Sequence, residues 1–220
     1  MSGLFITFEG VEGSGKSTQL ARIARRLAGA GRDVVATREP GGTALGRRLR
    51  GVLLERDGAP IGPRVELLLY VADRAQHVAE VIAPALRRGA VVLSDRFLDA
   101  TIAYQGYGRG LGREAVLALH RESPLNLRPD RTVLLDLDPV SGLGRARSRN
   151  EADGTDLAEG RFESEEVAFH RAVRRGYLAL ASEEPGRIRL VDAVGPEDAV
   201  EERVRAALSD LLPSLRDPVP

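Results

Sequence analysis

The segment Gly10-Val-Glu-Gly-Ser-Gly15-Lys16-Ser17 sets glycines ahead of a lysine and a hydroxyl at the spacing of a phosphate-binding P-loop. Gly10, Gly13 and Gly15 permit backbone angles that turn successive N–H groups inward around an anion, with Val11, Glu12 and Ser14 between them. Lys16 then reaches the terminal phosphates, and Ser17 offers a hydroxyl to Mg²⁺. Lys16 is the only lysine in the chain, against 31 arginines. A compact, flexible ammonium can follow a phosphoryl group between donor and acceptor, whereas a planar guanidinium fits such a cradle poorly. A second element of the same chemistry is Val91-Val-Leu-Ser-Asp95, an apolar run ending in a carboxylate suited to anchoring the metal or its waters.

These residues need elements to hold them. Leu4–Glu9 reads as a buried strand, and Leu20, Ile23, Ala24 and Leu27 after the glycine loop repeat at helical spacing until Gly29 and Gly31. Further apolar runs at Asp33–Thr37, Ala90–Ser94, Arg131–Leu137 and Arg187–Val191 alternate with helical segments. These are predicted at Ala44–Leu54, Pro63–Arg87, Arg113–Glu122, Pro139–Ser148, Glu163–Ser182 and Pro196–Leu212. Alternation of this kind predicts an α/β fold, a parallel sheet covered by helices on both faces, in one domain spanning 1–220. The acidic stretch Asn150–Gly160 reads as a mobile loop, and the proline-rich Arg216–Pro220 as a frayed tail.

Composition removes other classes. Basic and acidic residues number 32 each, so no global field draws the chain to nucleic acid or anionic lipid. There is no cysteine, which excludes thiolate metal sites and thiol nucleophiles, and His77, His120 and His170 form no paired ligand motif. No apolar run reaches the length of a membrane span and the start lacks a signal-peptide pattern, so a soluble cytoplasmic protein is expected. A guanine-reading Asn-Lys-x-Asp element would need a second lysine, which excludes a GTPase. The arginines near element ends, Arg38, Arg50, Arg74 and Arg96, point instead to a second anion.

The chain resembles the bacterial thymidylate kinase family along nearly its whole length. The resemblance is carried by FEGVEGSGKST (Phe8–Thr18), TREPGGT (Thr37–Thr43), Asp95-Arg96, AYQGYGRG (Ala103–Gly110), RPD (Arg128–Asp130) and the FHxxVRxxYLxLA pattern (Phe169–Ala181). It implies transfer of the γ-phosphoryl of ATP to dTMP with Mg²⁺, a P-loop fold with a five-stranded parallel sheet of order 2-3-1-4-5, and a homodimer. By the same resemblance Gly10 to Thr18 hold ATP, and Ser17 and Asp95 serve the metal. Arg50 and Arg96 hold the acceptor phosphate, and Arg38 leads into the turn that brings Glu39 and Pro40 to the site. Tyr70 stacks on thymine and Arg74 bonds its O4. Spacing agrees in part, since Tyr70, Arg74 and His77 at i, i+4 and i+7 share one helix face; His77 is read as structural. Thr101 and Gln105 resemble polar contacts to the base, Tyr104 lies under the sugar where a 2′-hydroxyl would collide, and Glu12 accepts the 3′-hydroxyl.

The P-loop carries no arginine, which matches the subgroup of the family whose lid supplies one. Arg145, Arg147 and Arg149 precede the acidic loop and Arg161 follows it, giving a lid over about 145–162. Arg149 is the first candidate for catalysis, and Arg145 is the one read as facing adenine instead. After the lid the family commonly has Asp-Arg-Phe-Glu, where this chain has Gly160-Arg161-Phe162-Glu163, so the acidic contact is missing or has moved to Glu159.

Overall fold

The computed structural model describes residues 3–55, 59–122, 126–153 and 160–215, without the side chains of 122 and 149–153. Five strands, β1 (Leu4–Glu9), β2 (Val34–Arg38), β3 (Val91–Asp95), β4 (Arg131–Asp136) and β5 (Ile188–Asp192), form one sheet of order β2-β3-β1-β4-β5. Every pairing is parallel. Phe5, Ile6, Thr7 and Phe8 are all buried, and since successive side chains point to opposite faces, both faces of the central strand are covered. The edge strands β2 and β5 are less buried and mix covered with exposed positions. Order, direction and coverage agree with the sequence reading.

Register determines what reaches the carboxyl edge. Phe8 of β1 and Arg38 of β2 both lie opposite Asp95 of β3, so the glycine loop after Glu9, the Glu39–Pro40 turn after Arg38 and the Asp95-Arg96 corner emerge together. The helices around the sheet are α1 (Lys16–Gly29), α2 (Ala44–Leu54), α3 (Pro63–His77), α4 (Ala83–Arg87), α5 (Leu98–Thr101), α6 (Arg113–Glu122), α7 (Pro139–Asp153), α8 (Val167–Glu183) and α9 (Glu197–Leu208). In α1 the buried Leu20, Ile23 and Leu27 form the stripe expected from their spacing.

Four helical segments depart from the sequence reading, and the strands after β1 differ from it by one residue at their ends. The helix expected over Pro63–Arg87 is helical throughout but widens into a π turn at Val78–Ile82, just before Pro84, whose ring and missing N–H disturb the preceding turn. Helix α7 continues through Asp153, so the first part of the expected loop Asn150–Gly160 is helical, while 154–159 lie outside the described residues, as does the tail 216–220. Helix α8 begins at Val167 rather than Glu163, because Gly160–Ser164 forms turns, and α9 ends at Leu208 rather than Leu212.

One element was missed altogether. Leu98–Gly108 is helical, an α turn running into a π-helical segment over Ile102–Gly108 in which Arg109 N–H donates to Tyr104 O at 2.8 Å. Its glycines, aromatic residues and wider winding hide the 3.6-residue period that sequence reading looks for. This segment packs on α8 and carries Thr101, Tyr104 and Gln105.

Candidate functional site

The glycine loop is built as its sequence requires. Gly10, Gly13 and Gly15 take φ of 141°, 68° and 88°, and a Cβ on Gly13 would lie 2.0 Å from Gly142 O at the start of α7. Lys16 opens α1 and is buried, its Nζ donating to Val11 O at 2.8 Å and standing 3.4 Å from Ser14 Oγ. Burial and the nearby Arg96 lower its ammonium to about 8, against the pull of Asp95, Glu12 and Glu9. Ser17 Oγ donates to Asp95 Oδ2, so the hydroxyl and the carboxylate stand side by side at the end of β3.

Arg96 follows at the corner with φ 70°, a left-handed conformation on a non-glycine residue. Its N–H donates to Phe8 O at 3.0 Å and its carbonyl accepts from Ser94 Oγ at 2.8 Å, which fixes the corner. The guanidinium reaches Gly10 O at 3.2 Å, Tyr177 Oη at 3.3 Å and Glu12 Oε1 at 3.0 Å, over the Tyr104 ring. Tyr104 Oη donates to the same Glu12 oxygen at 2.5 Å. The other oxygen, Oε2, lies 3.2 Å from His170 Nδ1 without hydrogen-bond alignment and is a buried acceptor with no partner among the described residues. Burial pushes the Glu12 carboxyl up, but His170, Arg96, Lys16 and Tyr104 outweigh it and hold the group well below the usual range.

A second buried array lies between α3 and the turn after β2. Arg74 donates through Nε to Glu39 Oε2 at 3.0 Å and through Nη2 to Thr101 Oγ1 at 2.6 Å, with its guanidinium over Phe97. Its Nη1 is buried without a partner among the described residues. His77 joins Glu39 Oε1 at 2.9 Å to Thr37 Oγ1 at 2.7 Å, in agreement with the structural role read for it. The Glu39–Pro40 peptide is cis, and Pro40 O accepts from Arg50 at 3.2 Å. Asp73 receives the Gly41 N–H at 3.2 Å, and burial together with Glu39 raises its carboxyl to about 6.

The two arrays line one cavity. Glu12, Gly13, Lys16, Ser17 and Asp95 meet Arg38, Glu39, Pro40, Arg50, Tyr70, Arg74, Arg96, Thr101, Tyr104 and Gln105 around it. Gly10, Val11, Ser14, Gly15, Thr18 and Arg145 are not among its lining residues. Arg145 is exposed on α7 and donates to Ala193 O at 3.2 Å, after β5. Arg161 is not at the cavity; it donates to Glu66 at 2.7 Å and to Leu53 O at 3.1 Å. The side chain of Arg149, and all of Glu159, lie outside the described residues. Sequence reading gave no role to His170, Tyr177, Phe162, Glu163 or Glu66. The usable signal was the i, i+7 spacing of His170 and Tyr177, which puts both on one face of α8 beside Glu12 and Arg96.

A glycine loop with a buried lysine faces an arginine-rich pocket across one cavity, a chemistry suited to anionic groups at both ends. The family model described as thymidylate kinase matches residues 8–204. The chain belongs to the thymidylate kinase family. The thymidylate kinase of Solidesulfovibrio magneticus is 56% identical over 209 residues, covering 95% of this chain and 100% of that protein. That of Nitratidesulfovibrio vulgaris is 53% identical, covering 95% and 97%. Among solved structures, the thymidylate kinase of Ehrlichia chaffeensis matches with a TM-score of 0.73 at 31% identity, over 94% of this chain and 99% of that one. The thymidylate kinase resemblance read from the motifs is thereby borne out, as is the P-loop fold.

Proposed function

We propose that the chain transfers the γ-phosphoryl of ATP to dTMP, giving dTDP and ADP. The observation that carries this reading is the single cavity in which Lys16 and the buried, part-unpaired Arg74 both take part. The backbone of Gly10 to Thr18 cradles the donor phosphates, and the ammonium of Lys16 leaves Val11 O to follow the moving group. Arg50 and Arg96 grip the acceptor phosphate, for which forked guanidinium donors are well shaped. Tyr70 stacks on the base, Arg74 supplies its free N–H to O4, and Thr101 and Gln105 bound the remaining polar edge. Glu12 stays ionised and offers Oε2 to the 3′-hydroxyl, while Tyr104, tied to Glu12, fills the space a 2′-hydroxyl would need.

Ser17 and Asp95 present two hard oxygen ligands side by side, which fits Mg²⁺, an ion that keeps several waters and takes few protein ligands. When bound it would neutralise charge on the donor phosphates. Arg149, delivered from the end of α7, supplies positive charge to the equatorial oxygens, and Arg145 serves adenine. Helix α3 presents the exposed Val65, Leu68 and Ala72 at helical spacing, with Ala79 of the following π turn and Val52 of α2 exposed as well; a second copy of the chain covers this stripe in a homodimer. The enzyme works in the cytoplasm on small molecules, without nucleic acid or membrane.

An ADP-coupled assay with dTMP and thymidine as alternative acceptors tests the reading. Turnover with dTMP and none with thymidine is expected. Equal use of thymidine would make the chain a deoxynucleoside kinase, and ADP release without an acceptor would make it an ATPase.

A further inference from the structure

Glu66 is fully buried on α3, and its carboxylate is saturated. Oε1 accepts from Gln105 Nε2 at 2.8 Å and Arg109 Nε at 3.2 Å; Oε2 accepts from Arg109 Nη2 at 3.2 Å and Arg161 Nη2 at 2.7 Å. Four N–H donors fill the four lone-pair directions a carboxylate offers. Only one of those donors belongs to a residue that lines the cavity, and it is Gln105.

An amide side chain has a donor end and an acceptor end, and which end faces a ligand decides what the ligand can be. A carboxylate held by two guanidinium groups can only accept from Gln105. One N–H of the NH₂ end is therefore spent on Glu66, which fixes the amide orientation and leaves Oε1 as the acceptor Gln105 can offer the cavity it lines. On the same cavity, Arg74 Nη1 is a buried donor without a partner among the described residues. Together they offer an acceptor and a donor. Thymine presents the complement, N3–H next to C4=O, whereas cytosine presents a bare N3 next to an amino group.

We propose that Glu66 is a positioning residue for pyrimidine choice, fixing the Gln105 amide so that its carbonyl oxygen receives the base N3–H and a 4-aminopyrimidine is rejected. Arg109 and Arg161 hold Glu66 in turn, Arg109 lying over the rings of Phe162 and Phe169. This gives the lid-flanking Arg161 a function other than catalysis. The proposal rests on the dTMP reading above and deepens it.

The probe is 5-methyl-dCMP, which keeps the methyl group and sugar phosphate of dTMP and swaps only the N3 and C4 pattern. In Glu66→Gln the new side chain can offer either end to Gln105. The ratio of dTMP to 5-methyl-dCMP affinity is expected to narrow by about tenfold, the size of one hydrogen-bond preference, with the KM for ATP unchanged. In Gln105→Leu the ratio narrows similarly, and adding Glu66→Gln to it produces no further narrowing, since the two act as one unit. Equal losses for both nucleotides in Glu66→Gln, or additive narrowing in the double variant, would overturn the proposal and leave Glu66 a packing group. A measurement on the unaltered protein covers the case in which Glu66→Gln does not fold. By NMR one Gln105 side-chain N–H should remain protected from exchange, and the thymine N3–H should be hydrogen-bonded to the Gln105 carbonyl oxygen in the dTMP complex; loss of that N–H protection on dTMP binding, or an N3–H bonded to another group, overturns the proposal. Failure of the unaltered protein to bind dTMP would instead remove the functional reading itself.

Discussion

The two ends of the cavity are built by opposite means. The end proposed to take the donor comes from one continuous stretch of backbone, Gly10 to Thr18, of which Glu12, Gly13, Lys16 and Ser17 line the cavity, and its left-handed glycines need only the strand before and the helix after to hold them. The acceptor end is made of side chains brought from α2, α3, the turn after β2, the corner after β3 and the segment Leu98–Gly108. These are fixed by bonds to one another and to the glycine loop: Arg74 to Glu39 and Thr101, Arg50 to Pro40 O, Gln105 to Glu66, and Arg96 to Glu12 of the loop. The comparison teaches how one cavity can serve two needs. On the proposed reading the donor end grips a phosphate chain common to many nucleotides, for which backbone dipoles and one ammonium suffice. On the same reading the acceptor end recognises a particular base and sugar, which requires side chains held in single orientations, and burial with cross-bonding supplies the rigidity.

The sharpest way to separate the ends is Lys16→Ala. Turnover should fall on the order of a thousandfold, the scale of losing one charge-stabilising donor, while dTMP binds as before. A loss of dTMP affinity large enough to explain the lost rate would break the division. Arg149→Ala should lower kcat by about a hundredfold with little change in either KM, short of a full arginine-finger effect because Arg145 and Arg147 share its helix. An unaltered kcat would clear Arg149 and turn attention to its neighbours.

At the acceptor end, Arg74→Met should raise the KM for dTMP about 10- to 100-fold, the value of hydrogen bonds from a charged group, and leave ATP affinity unchanged. It should also lower the melting temperature, because Glu39 loses its buried counter-ion. Weakened ATP binding in this variant would show the ends to be coupled.

The smallest effect is on pH. In the free protein Lys16 is lowered to about 8, and bound phosphates favour its ammonium, so ATP binding takes up a proton once the pH exceeds that value. ATP affinity should therefore be level below pH 8 and fall above it, by at most about tenfold per pH unit, with proton uptake seen as buffer-dependent binding heat. The dTMP affinity should not follow the same curve.

Much of this was legible in the residues. The P-loop spacing, the lone lysine and the strand ending at Asp95 located the donor end, and the alternation of apolar runs with helical stripes gave the parallel sheet. That Arg38, Glu39, Pro40, Arg50, Tyr70, Arg74, Arg96, Thr101, Tyr104 and Gln105 gather around one cavity was legible through family motifs, and the face shared by Tyr70 and Arg74 through helical spacing. Glu66 was not, because its partners Gln105, Arg109 and Arg161 stand 39, 43 and 95 positions away, and no local pattern links a carboxylate to them. Nor was the helical segment Leu98–Gly108, whose π winding breaks the period by which helices are recognised.

Sequence alone determined what is encoded by neighbours along the chain: the strands and most helices, the phosphate loop, and the single ammonium in a chain otherwise served by arginine. Tertiary structure alone decided which of the many arginines face the cavity, which end of the Gln105 amide is spent on Glu66, and that Arg161 braces a buried carboxylate rather than lining the cavity. The reason is physical. Backbone conformation follows from short-range sterics and periodicity, whereas the pairing of buried charges depends on which side chains the fold brings within about 3 Å of one another.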